Sequence, residues 1–203
     1  GAIIHYSVTP KTNVKLQNRG LYLVDSGAQY LDGTTDVTRT VALGGRTSKV
    51  ERDAYTRVLK GHIALACARF PVGATGARLD TLARQFLWQG GLDYNHGTGH
   101  GVGAYLNVHE GPQSISPRGS AVALEPGNVQ SNEPGYYEDG AFGIRIENLV
   151  EVCKSQQLRD KRAMLAFDTL TVCPIDIRPI DRSLITKQEA QWLNAYHRRV
   201  KRE

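Results

Sequence analysis

No apolar run in this sequence approaches the ~20 residues that a membrane-spanning helix needs. The opening residues GAIIHYSVTP also lack the basic flank of a secretory signal, so no membrane association is expected. Cysteine is scarce: Cys67, Cys153 and Cys173 form an odd set whose spacing matches neither a disulfide framework nor a zinc motif. That points to a reducing, cytoplasmic setting. There is no internal repeat, and no linker divides the 203 residues into two units. The glycine-rich stretch 97–103 is not a phosphate cradle, because it has neither a Lys-Ser/Thr pair nor a spaced acidic partner. Gly97–Gly103 instead suits backbone that turns sharply or passes close to a neighbour. A net charge of +5 invites a nucleic-acid reading. However, Lys154–Arg162 and His197–Glu203 each hold four basic residues and one acid, so they carry +6 between them and the remainder is −1. Those two runs read as solvated surface, and nucleic acid is not an expected partner.

What is present is ordinary globular composition, with 40% hydrophobic and 22% charged residues. A single domain of this mass hides roughly 70% of its unfolded surface. The runs AIIHY (2–6), LYLVD (21–25) and TTDVTRTVAL (34–43) read as strands. Ser48-Lys-Val-Glu51 is a capping box that opens a helix running toward Pro71, and RLDTLARQFLWQGG is a second helix stopped by Gly90–Gly91. Strands are expected over 141–152 and 167–173, and a TKQE box opens a last helix through Tyr196. Grouped strands and grouped helices imply α+β.

The unusual feature is acid in strand-like, otherwise apolar contexts. Asp25 ends LYLVD, and Asp36 lies 11 residues on, across a turn, so a hairpin can bring both carboxylates to one face. In FGIRIEN, alternation sends Phe142, Ile144 and Ile146 one way and Arg145 and Glu147 the other. Glu133 precedes Pro134 and is biased to extended backbone at a strand end. Taken singly, each acid reads equally as a surface residue or as a partner of Arg39 or Arg145. Together, four buried carboxylates repel one another unless neutralised. Two divalent ions balance their charge, and His100 in GTGHGVG offers a nitrogen ligand. Oxygen ligation with one nitrogen suits Mn2+, Co2+ or Zn2+.

In order along the chain, the HY pair near the start, DSGAQYLDGTTDVTRT, HGTGHGVGAYLNVHEGP and SNEPGYYEDGAFGIRIEN resemble the pita-bread metallopeptidase family, and within it the catalytic domain of the aminopeptidase P (Xaa-Pro aminopeptidase) branch. The resemblance spans residues 1–203. It implies a pita-bread fold and a dinuclear centre, usually Mn2+, held by Asp25, Asp36, His100, Glu133 and Glu147. In that family a metal-bridged hydroxide releases the N-terminal residue from peptides with proline in second position. Carried onto this chain, Glu133 is the general base, Asp36 and Glu147 bridge, Asp25 and His100 each serve one metal, and His109 binds substrate and stabilises the tetrahedral intermediate. His5 and His96 line the proline pocket, and Arg145 pairs with a ligand carboxylate. His62 and His197 match nothing catalytic and are expected on helix surfaces. Gln130 departs from the apolar residue usual before the glutamate. A chain opening at Gly1 is read as lacking the family's N-terminal domains and the first helices and strand of the catalytic fold, so weak or no activity is expected of it alone. The parent protein is allowed to be a homodimer. Two alternatives stay open: a prolidase acting on Xaa-Pro dipeptides, and a non-catalytic pita-bread module that binds proteins. The spacing around His100 and His109 argues against a methionyl aminopeptidase.

Overall fold

A computed structural model of the chain describes residues 4–45, 47–119, 121–155 and 162–203. Gly1, residues 2–3 of the AIIHY run and 156–161 of the first basic run are among those outside the described residues. The first long element is a hairpin, β1 (Leu21–Gln29) and β2 (Thr34–Ala42), in antiparallel register from Leu21↔Ala42 to Gln29↔Thr34. Helix α1 (Lys49–Ala66) starts as its capping box requires: Ser48 Oγ accepts from the Glu51 amide at 3.1 Å, and the Glu51 carboxylate accepts from the Ser48 amide at 2.6 Å. It stops well short of Pro71, because Arg69–Pro71 (β3) pairs with a later strand. Helix α2 (Gly76–Trp88) crosses α1 closely at Gly61, where a Cβ would lie 2.1 Å from the carbonyl oxygen of Ala83.

The remaining strands are β4 (Gly99–Gly101), β5 (Glu110–Ile115), β6 (Val129–Asn132), β7 (Gly135–Glu138), β8 (Phe142–Arg145), β9 (Asn148–Lys154) and β10 (Met164–Thr169), followed by α3 (Lys187–Arg202). Five of them join β3 in an antiparallel sheet in the order β3-β10-β9-β6-β4-β5, while β7 and β8 form a separate ribbon. Grouped antiparallel strands with packed helices make the chain α+β. One apolar cluster joins α1 (Tyr55, Leu59, Ile63) to Ile144, Ile146 and the α3 residues Leu193 and Tyr196. A second seats Leu79 and Ala83 of α2 on Phe70, Ile115, Val152 and Leu165 of the large sheet.

Several expectations need correction. Ile4 and His5 form a turn, not a strand, and His5 has φ of 56°, outside any strand geometry. The single strand expected over 141–152 is two, because the chain changes sheet at Ile146–Glu147: β8 pairs with β7 and β9 with β6 and β10. The strand expected at 167–173 lies at Met164–Thr169, and the last helix continues past Tyr196 to Arg202. His62 is not on the surface; it is wholly buried, bonded to the Asn132 carbonyl at 3.1 Å and to Asn148 Nδ2 at 3.2 Å. Burial pushes its pKa down to about 3. His197 is half-buried, and its Nε2 accepts from the Ile175 amide. Gln130, at the position where an apolar residue is usual, is also wholly buried. Among the described residues no helix is long and apolar enough to cross a membrane.

Candidate metal centre

The hairpin register explains the first two acids. Asp25 stands opposite Thr38, and Asp36 opposite Gly27, so the two carboxylates are diagonal neighbours on one face of the ribbon. His100 sits in β4, which can press against β6 only because position 99 is glycine: a Cβ there would meet the Ser131 carbonyl at 2.0 Å. Glu133 directly follows β6, and Glu147 occupies the link between β8 and β9.

From the hairpin, from β4 and from the links that flank the β7–β8 ribbon these side chains converge. Ligand atoms of Asp25, Asp36 and Glu147 lie within 4.8 Å of one another, as do those of His100, Glu133 and Glu147. Glu147 belongs to both triads, which is the geometry of a carboxylate shared by two ions. A third triad, Asp36, His100 and His109, lies beside them. His100 Nε2 is 3.1 Å from Glu133 Oε1 and 3.5 Å from Asp36 Oδ2. The five side chains face a cavity of about 690 Å³, also lined by His5, Asn107 and His109. The His109 ring is 4.4 Å from that of His100 and 6.1 Å from that of His5, centroid to centroid.

The electrostatics show what the centre lacks. Burial disfavours the charge on Glu147, and the carboxylates of Glu133 and Asp36 add repulsion, so its pKa is raised well above the usual range. Burial disfavours the imidazolium of His100, but hydrogen bonds to Asp36 and Glu133 outweigh it and push the pKa up to about 10. Burial likewise opposes ionisation of Glu133, and the hydrogen bond from His100 reverses that and lowers its pKa. Protons thus balance charge that the protein itself leaves uncompensated. Glu147 Oε1 is buried and has no hydrogen-bond partner, a costly arrangement for a carboxylate oxygen. Carboxylates, one imidazole and an unpartnered oxygen fit a pair of divalent cations.

Around this set run supporting bonds. Arg145, 3% exposed, donates to Asp25 Oδ2 at 2.6 Å, to the Tyr137 hydroxyl at 2.8 Å and to Thr38 Oγ1 at 3.1 Å. Arg39, the other arginine considered as an acid's partner, turns to neutral acceptors: the carbonyls of Thr38, Glu147, Cys173 and Pro174, the Asn148 amide and the Tyr196 hydroxyl. His96 stands apart from the central cavity. It lines a neighbouring one of about 430 Å³ with Arg84 and Arg118, and both ring nitrogens are engaged, by the Gly97 carbonyl and the Tyr137 hydroxyl. Burial lowers its pKa to about 4.

The sequence reading passes over Thr38, Ser131 and Tyr137. Thr38 and Ser131 each lie two residues from a strand-borne acid, the same spacing that pairs Arg145 with Glu147, so alternation alone is enough to find them.

A model of metallopeptidase family M24 matches residues 1–154, and one of the C-terminal region of peptidase M24 matches 163–203. The chain is 56% identical over 201 residues to a probable Xaa-Pro aminopeptidase P of Sclerotinia sclerotiorum, covering 97% of this chain and 33% of the relative. It superposes with a TM-score of 0.93 and 48% identity on an X-prolyl aminopeptidase from Caenorhabditis elegans, described as a cytosolic enzyme with a di-nuclear active site, covering 98% of this chain and 32% of that one. A prolidase from Pyrococcus furiosus matches less of the chain, 75%, and 41% of its own, with a TM-score of 0.63 and 32% identity. The chain spans about a third of the length of the curated relatives it matches. With its α+β pita-bread fold and a family model covering most of its length, the chain belongs to metallopeptidase family M24.

Proposed function

We propose that residues 1–203 form the catalytic domain of an Xaa-Pro aminopeptidase that removes the first residue from peptides with proline in second position. The observation that carries this reading is the sharing of Glu147 by two acid-rich triads at the floor of one cavity. Asp25, Asp36, His100, Glu133 and Glu147 would hold two divalent ions, Mn2+ in first place, with Co2+ or Zn2+ as substitutes. Bound there, the ions supply Lewis acidity and bring the pKa of a water toward neutrality.

The chain's own groups do the rest. Glu133 Oε1 accepts from Ser131 Oγ at 2.8 Å, and Oε2, 3.9 Å from Arg145 Nε, is the atom that accepts the water's proton. His109, exposed at the cavity wall, donates to the oxygen on which charge develops, and His5 faces it across the opening. His96 has no free nitrogen, so it serves as a ring wall beside the proline site and braces Tyr137. A cytosolic location and a homodimeric parent belong to the same reading.

The test uses a longer protein carrying this domain, loaded with Mn2+, and compares Xaa-Pro-Xaa tripeptides with Xaa-Pro dipeptides. Release of the first residue from the tripeptide, lost by about 10²-fold or more in Glu133→Gln, is the expected result. Cleavage of dipeptides alone would identify a prolidase, and no cleavage by a protein containing two ions would leave a binding module.

A further inference from the structure

We propose that Thr38 and Ser131 are positioning residues of the centre, a matched pair of hydroxyl clamps that each orient one glutamate ligand. The inference rests on the metallopeptidase reading above and adds to it two residues outside the ligand set.

A hydroxyl has a single hydrogen to give, and a glutamate that holds a cation is ionised and can only accept. Thr38 Oγ1 receives the Arg145 Nε–H at 3.1 Å and gives its hydrogen to Glu147 Oε2 at 2.6 Å. Ser131 Oγ receives the His100 backbone N–H at 2.9 Å and gives its hydrogen to Glu133 Oε1 at 2.8 Å. In both cases the incoming group is an obligate donor, so it occupies a lone pair and leaves the hydroxyl hydrogen to point at the carboxylate. Thr38 and Ser131 are each fully buried, and water does not compete for either bond.

Each clamp also joins ligands from different strands. Thr38 stands two residues after Asp36 on β2, holds Glu147 from the β8–β9 link, and receives Arg145, which in turn holds Asp25. Ser131 stands two residues before Glu133 and fastens the backbone of His100 on β4. Between them the two hydroxyls hold both glutamates directly, reach Asp25 through Arg145 and fasten His100 through its backbone. A glutamate has three rotatable side-chain bonds, and Glu133 and Glu147 repel each other. Holding one oxygen of each in place removes the rotamer search that ion capture would otherwise require.

The test is Mn2+ titration of the chain by calorimetry, with electron paramagnetic resonance reporting coupling between the two ions. Thr38→Val and Ser131→Ala delete the hydroxyls; Thr38→Ser and Ser131→Thr keep them. The deletions should weaken Mn2+ binding by roughly 10–100-fold and alter the coupled signal, while the hydroxyl-keeping variants stay within about threefold of wild type. Melting of the metal-free variants separates this from general damage, since a purely structural role would lower the melting temperature without changing affinity in the folded protein. If Thr38→Val does not fold, Ser131→Ala, which loses a single oxygen, decides the matter. Should wild type bind two ions and both Thr38→Val and Ser131→Ala bind them equally well, the clamps alone would be overturned, as they would by a Thr38→Ser loss as large as that of Thr38→Val. A wild-type chain that takes up no Mn2+ would overturn the metallopeptidase reading and the clamps together.

Discussion

Loading the centre should expel protons, and the number expelled follows from the structure. In the metal-free protein His100 is hydrogen-bonded to Asp36 and Glu133, and its pKa stands at about 10. Near pH 7.5 it therefore carries a proton that an ion must displace before it can take Nε2. Because the proton and the ion compete, apparent affinity rises with pH through the whole range below about 10. The slope is about tenfold per pH unit, or ~1.4 kcal/mol, for one proton. Glu147, held above the usual carboxylate range by burial and by Glu133 and Asp36, adds a second proton wherever it is itself protonated and steepens the slope there. Calorimetry of Mn2+ binding in buffers of different ionisation enthalpy counts these protons directly. Near pH 7.5 at least about one should leave per centre filled, and His100→Asn should lower the count by about one. Binding that releases no proton, with an affinity flat from about pH 6 to 8, would refute the electrostatic account of the site.

Three further outcomes follow from other parts of the molecule. His62 is buried with a pKa near 3 against an ordinary 6.5, so the stability it contributes is complete above pH 6.5 and is lost as pH falls toward 3. Wild type should lose about 2 kcal/mol more than His62→Gln between pH 7 and pH 5 in urea unfolding, and equal losses would contradict this. Arg145→Met strips a partner each from Asp25, Thr38 and Tyr137, and Mn2+ affinity should fall roughly 10–100-fold. Gly61→Ala drives a methyl to 2.1 Å from the Ala83 carbonyl, and the α1–α2 crossing must open at a cost of about 1–3 kcal/mol, measurable as a lowered melting temperature.

The acids of the centre are legible in the sequence because a strand has a period of two. Asp25 and Asp36 share a face by hairpin register, and Glu147 opposes Ile144 and Ile146 by simple alternation. His100 is legible only as the complement to those charges, since one histidine among glycines carries no periodic signal. The capping boxes at Ser48 and Thr186 also mark their helices, because both halves of each box are local. What escapes is long-range. His62 looks like any polar residue on a helix, and its burial is made tolerable by Asn132 and Asn148, 70 and 86 residues away. The break at Ile146–Glu147 is silent because alternation continues across it while the pairing partner changes from β7 to β6. Strand β6 hides behind its polar sequence VQSN, of which Gln130, Ser131 and Asn132 are all fully buried. Helix α1 ends early because the β3–β10 pairing claims Arg69–Pro71.

The position of Glu147 at the seam where the chain leaves the β7–β8 ribbon for the large sheet has a consequence for how the molecule is assembled. The hairpin carries Asp25 and Asp36, while His100, Glu133 and Glu147 sit on or beside strands β4, β6 and β9 of the large sheet, so the five side chains meet only where hairpin and sheet are docked. An ion pair held by all five would therefore favour the docked arrangement over any in which hairpin and sheet are apart.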